Sequence, residues 1–142
     1  MTLEAIAEYC FTNNWFDVTA KDFWNELIPQ INPEKILEVG SFEGASTCYL
    51  INQLATKHPL ELHCIDTWEG GIENKIAGED MDSVEARFNH NVNLAINTVP
   101  NPVELVVHKG YSDCKLSQLM VDGKQQYFDF VYIDGSHQIG RA

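Results

Sequence analysis

Positive charge is what this chain has least of. Nine Lys and Arg stand against 21 Asp and Glu, a formal net charge of −12. A nucleic-acid backbone or an anionic membrane surface would repel such a chain, so neither is an expected partner. Several other signals are missing. The four cysteines (Cys10, Cys48, Cys64, Cys114) contain no C-x-x-C pair and fall in segments that read as helix or buried strand. Reduced core thiols are the natural expectation. No apolar run reaches the roughly 20 residues that a bilayer requires. The start, Met1-Thr2-Leu3-Glu4-Ala5, carries an early acid and no basic region, unlike a signal peptide. A cytoplasmic protein is expected. Low-complexity tracts, internal repeats and an evident linker are absent too, and 142 residues at 44% hydrophobic composition suit a single domain with a real core.

What is present is an alternation. Residues 2–12 have helix-forming composition, with Leu3, Ile6, Ala7 and Cys10 on one face. A second helix is expected from Thr19 as N-cap, closed by Pro29 and the Asn32-Pro33 pair. Short apolar runs then read as strands at 36–39, 60–65, 103–107 and 128–133. Helical patterns fill 44–55, 83–97 (capped by Asp82) and 112–121. Strands alternating with amphipathic helices predict parallel strands joined by βαβ crossovers. The expected organisation is a helical cap over residues 1–32 and an α/β core over 33–142.

The stretch Ile36-Leu37-Glu38-Val39-Gly40-Ser41-Phe42-Glu43-Gly44-Ala45-Ser46-Thr47 reads as strand, glycine turn and helix start. Such a turn aims free backbone N–H groups at a ligand, and its glycines let the backbone come close. Neither the dinucleotide pattern G-x-G-x-x-G nor the phosphate-loop G-K-[ST] is present, since position 42 is Phe. The loop also carries Glu38 and Glu43. A phosphate about 6 Å from one carboxylate would cost roughly 3 kcal/mol at an effective dielectric near 20. A cationic or zwitterionic nucleoside is favoured instead, and S-adenosylmethionine answers that description. The competing reading of Gly40-x-x-x-Gly44 is a plain strand–helix turn.

Further candidates sit at the ends of the later strands. Asp66, ending strand two, suits a ribose diol, because a carboxylate accepts two hydroxyl donors; a turn aspartate is its plainer reading. Trp68 could lie on an adenine face or simply pack in the core. After strand three, Tyr111 or Ser112 could border the base, with Ser112 also placed to cap the next helix. After strand four come Asp134 and His137, an acid able to ligate a divalent cation and an imidazole able to act as general base. His58, His63, His90 and His108 show no ligand spacing and read as structural.

Taken in order, the 36–46 motif, Cys64-Ile65-Asp66-Thr67-Trp68 and Phe128-Asp129-Phe130-Val131-Tyr132-Ile133-Asp134-Gly135-Ser136-His137 resemble the class I S-adenosylmethionine-dependent methyltransferases, nearest to the small-molecule O-methyltransferases. The resemblance implies a Rossmann-like open parallel sheet in the order 3-2-1-4, preceded by two N-terminal helices. It also implies that Glu38, Gly40 and Gly44, with Ser41 and Ser46 beside them, hold the methionine part of the cofactor. Asp66 would take the ribose hydroxyls, with Trp68 and Ser112 near the adenine. Asp134 would stand at the centre of transfer to a small-molecule acceptor and help bind a metal such as Mg.

The family's sheet continues with three further strands, whereas this chain stops at Gly140-Arg141-Ala142. Two readings therefore stand beside each other: a methyltransferase, or a non-catalytic S-adenosylmethionine-binding or interaction module. A nicotinamide oxidoreductase is disfavoured by the missing third glycine and the acidic loop. With strand four as an apolar edge, a homodimer formed through that edge is expected.

Overall fold

The computed structural model describes residues 8–11, 15–68, 81–110, 112–121 and 127–133. Its elements are α1 (Trp15–Thr19), α2 (Lys21–Ile31), β1 (Lys35–Val39), α3 (Ala45–Leu54), β2 (Leu60–Asp66), α4 (Met81–Thr98), β3 (Val103–Lys109), α5 (Ser112–Val121) and β4 (Phe130–Ile133). All pairings are parallel, in the order β3-β2-β1-β4. The expected Rossmann-like α/β sheet is therefore present.

Burial follows from strand position. β1 and β2 are central, and their runs Ile36–Val39 and Leu60-Glu61-Leu62-His63-Cys64-Ile65 are buried almost throughout, as a sheet covered on both faces requires. On one face, Ile36, Leu62 and Cys64 meet Trp24 and Ile28 of α2, Leu50, Ile51 and Leu54 of α3, and Val84, Phe88 and Val92 of α4. On the other, Leu37, Val39 and Ile65 pack under Leu116 and Leu119 of α5. β4 has β1 as its neighbour and exposes about half of Val131 and Ile133. Trp24 ties α2 to that strand, standing edge-on to Tyr132 at 4.5 Å and Phe130 at 5.6 Å.

Several local expectations are corrected. Residues 8–11 are not helical; they form an irregular strap, and the rest of the segment expected to form the first helix lies outside the described residues. Thr19 ends α1 instead of capping α2, whose N-cap is Ala20 with no side-chain bond. Pro29 lies inside α2, in its last turn, where it brings no N–H to the helix ladder. Asn32 closes the helix in the left-handed conformation (φ 46°), its N–H donating to Ile28 O at 2.7 Å. Asp82 falls within α4, which begins one residue earlier. Phe128 and Asp129 precede β4. The Asp129 carboxylate instead accepts the N–H groups of Glu34 (2.9 Å) and Lys35 (3.0 Å), pinning the start of β4 to that of β1. Cys48 and Cys64 are core thiols as expected, but Cys10 and Cys114 are exposed.

Two of the histidines form a bonded chain on the α5 face. His63 bonds His108 at 2.9 Å through one ring nitrogen and Glu61 at 2.8 Å through the other, while Tyr127 donates to Glu61 at 2.6 Å. That last bond pushes the Tyr127 phenol up to about 12. Period-two alternation puts Glu61 and His63 on the same side of β2, where the bonds meet their polar demand.

Candidate functional site

The carboxyl ends of the strands form one crest. Val39 stands level with Ile65 and Ile133, and Asp66 with Lys109. From β1 the sheet grows to β2 and β3 on one side and then to β4 on the other. Open α/β sheets take their ligands at such a switch point, beyond the carboxyl ends. The loop at residues 40–44 begins there.

Its shape depends on three residues with positive φ: Gly40 (89°), Phe42 (49°) and Gly44 (87°). Gly44 is required twice over, because a Cβ there would also come within 3.1 Å of Phe88 and 3.3 Å of Val92. Phe42 holds a conformation that costs a non-glycine residue on the order of 1 kcal/mol or more. Its neighbours over-determine it. The Phe42 N–H donates to Asp66 Oδ2 at 2.9 Å, and its carbonyl accepts from the Trp68 indole N–H at 2.9 Å.

Asp66 is thus the hinge between the loop and β2. Its other oxygen, Oδ1, accepts the Trp68 N–H at 2.9 Å, and its own carbonyl accepts from Gly110 at 2.9 Å, which brings the end of β3 to the same place. The residue is half-buried at the crest. Trp68 is 3% exposed and rests against Phe88 with ring centroids 4.9 Å apart, under the loop.

Glu38 is enclosed. It is 0% exposed and accepts hydroxyl bonds from Ser41 (3.0 Å), Ser46 and Thr47. Ser46 and Thr47 stand in the first turn of α3, so the carboxylate binds strand end, loop and helix start into one unit. The Cys64 thiol lies 3.9 Å from Glu38 Oε1, and burial first, then the Glu38 charge, raises its pKa well above the usual thiol range. The same two causes push Cys48 up to about 12.

The second loop acid has a partner that the sequence reading missed. Arg87 on α4 donates from Nε to Glu43 Oε2 at 2.6 Å, with Glu43 2% exposed. The two loop acids expected to favour a cationic ligand are thus already engaged: Glu43 is paired with Arg87, and Glu38 is screened by hydroxyls. The one sequence signal was composition, since Arg87 is a rare cation in an acidic chain and shares an amphipathic helix with the core residues Val84 and Phe88. Asn91, also on α4 and 0% exposed, donates to the Glu43 carbonyl at 3.0 Å.

The structure therefore brings Glu38, Gly40, Ser41, Gly44, Ser46, Asp66 and Trp68 together around one loop. Ser112 opens α5 just past Gly110, although its side chain is not described. Tyr111, Asp134 and His137 lie outside the described residues. Among the described residues no group of three or more His, Cys, Asp or Glu is set to hold a metal ion, and no helix is long and apolar enough to cross a membrane.

A family model described as a methyltransferase domain matches residues 37–142, most of the chain and all of the crest. No curated protein matches. S-adenosylmethionine is the usual cofactor of such domains. A match over that span, on a parallel sheet of this order, makes the chain a member of the methyltransferase-domain family, within the class I S-adenosylmethionine-dependent methyltransferases.

Proposed function

We propose that this chain transfers a methyl group from S-adenosylmethionine to an oxygen of a small-molecule acceptor. Asp66 carries the reading. It stands half-buried at the crest, beside the glycine loop, with one backbone donor on each carboxylate oxygen. A carboxylate has roughly four acceptor positions, so about two remain for a ribose diol. The nucleoside suits the residues present.

The loop at 40–44 and the start of α3 would receive the methionine end, with Gly44 capping that helix without a side chain. Glu38, enclosed by hydroxyls, would act on a ligand's positive charge through the loop. Tyr111 and Ser112, which follow β3 in the sequence, would border the base. When bound, the cofactor supplies an electrophilic methyl group on a sulfonium sulfur. The chain's own contribution is mainly positioning. His137 would take the acceptor's hydroxyl proton on a ring nitrogen as the oxygen–methyl bond forms, while the electrons of the broken sulfur–carbon bond stay on sulfur. Asp134 would orient the acceptor, or hold a divalent cation such as Mg that makes its hydroxyl more acidic.

The test uses methyl-labelled S-adenosylmethionine with phenols, catechols and alcohols. Labelled methyl ethers are expected. His137→Ala should slow their formation by about 10²- to 10⁴-fold and leave cofactor affinity unchanged. Cofactor binding with no transfer to any oxygen acceptor would favour the non-catalytic binding module instead.

A further inference from the structure

The strap at residues 8–11 and the glycine loop share one side chain. Asn91 Oδ1 accepts the Cys10 N–H at 2.7 Å, and Asn91 Nδ2 donates to the Cys10 carbonyl at 3.2 Å. The amide reads residue 10 at two points, as one strand reads its neighbour. The other Nδ2 proton goes to the Glu43 carbonyl at 3.0 Å. Both donors of the amide are thereby used, one on the strap and one on the loop.

That division has a mechanical meaning. With the strap in place Asn91 is 0% exposed, and losing the strap takes from its oxygen and one proton the partners that fix the amide's orientation. An amide that loses those partners turns to find others. Turning it releases Glu43, the loop residue next to Gly44. Among the described residues the strap's other bonds are these: His90 donates to the Glu8 carbonyl at 2.7 Å and Asn52 donates to the Tyr9 hydroxyl at 3.1 Å, while Tyr9 and Phe11 are each 37% exposed. An exposed segment held by a few bonds belongs to the low-stability end of a fold, where opening is easy.

We propose that residues 8–11 form a latch which, through the Asn91 amide, holds the 40–44 loop in its ligand-receiving shape. Docking of the strap and occupation of the loop then favour each other, because linkage between two sites is reciprocal. Asn91 is a positioning residue, and any partner or competing segment that lifts the strap loosens the loop. The ligand half of this inference rests on the cofactor reading above; the latch half does not.

The test separates the two. Cys10→Pro removes the N–H that Asn91 accepts, on an exposed residue outside the core, and Cys10→Ala keeps it. Amide hydrogen exchange is followed at Tyr9 and Phe11, at Phe42 and Gly44, and along β2 as the reference. In Cys10→Pro, exchange should quicken about 10-fold at both strap and loop, a coupling of ordinary size, with β2 unchanged and Cys10→Ala like wild type. A freed strap with an unaltered loop overturns the latch, and so does a strap that stays docked without the Cys10 N–H. With S-adenosylhomocysteine as probe, wild-type strap exchange should slow, and Cys10→Pro should bind it about 10-fold more weakly. Equal affinity in the two proteins overturns the coupling. Failure of wild type to bind the probe at all counts against the cofactor reading, while the ligand-free exchange still decides the latch.

Discussion

Arg87 and Glu43, 44 positions apart, meet at 2.6 Å with the carboxylate 2% exposed, so a charge in the glycine loop is carried by helix α4. Taking the cation from a buried pair is far more damaging than the pair's net worth, because a desolvated charge is left behind. Arg87 keeps 23% of its side chain in solvent, which moderates the loss. Arg87→Met should lower stability by about 2–3 kcal/mol in urea unfolding. Adding Glu43→Gln should restore part of it. A double variant no better than the single would remove the pair from the account.

Glu38 presents the opposite arrangement, a buried carboxylate held by neutral hydroxyls. Glu38→Ala leaves Ser41, Ser46 and Thr47 without their acceptor and should cost about 2–4 kcal/mol. Glu38→Gln keeps an oxygen and should cost less. Both are read from denaturant midpoints at unchanged slope. A fully stable alanine variant would contradict the caged geometry.

The sheet was legible because β1 to β4 are short apolar runs of the right period, and the helices between them carry a clear face. Gly40, Gly44 and Asp66 were legible because turn chemistry and strand ends are local features. Arg87, Asn91 and the strap were not. Their bonds to Glu43 and Cys10 span 44 to 81 positions, and no local pattern announces such partners. The N-terminal segment misled for a related reason: helix propensity is weak, and Asn91 offers residue 10 a backbone-like partner for both its N–H and its carbonyl. Trp68 could be read either way from sequence, since an indole serves equally as core or as platform.

Asp129 gives a pH dependence with a definite sign. The N–H groups of Glu34 first, then Lys35, hold its carboxyl below the ordinary range. A carboxyl depressed in the folded state stabilises above its unfolded pKa, roughly 3.9, and loses that contribution as pH falls through the lower folded value. Wild type should exceed Asp129→Asn in stability by up to about 1 kcal/mol near neutrality, a modest figure because the group is exposed. The gap should close in acid. A gap independent of pH would show that the carboxylate charge is not what binds β4 to β1.

The thiols divide by burial. Cys10 and Cys114 are exposed, whereas Cys48 and Cys64 are buried, the former with its pKa pushed up to about 12. A thiol reagent at pH 8 should titrate Cys10 and Cys114 in the native protein and all four cysteines only in denaturant. Rapid labelling of Cys64 would mean that the Glu38 cage opens.

Calorimetry with S-adenosylhomocysteine, on wild type and on Asp66→Ala, tests the central claim most directly. Binding by wild type is predicted, weakened in the variant by roughly 1.5–3 kcal/mol, the scale of hydrogen bonds to a charged acceptor. Equal affinity in the two proteins would contradict the placing of the nucleoside on Asp66.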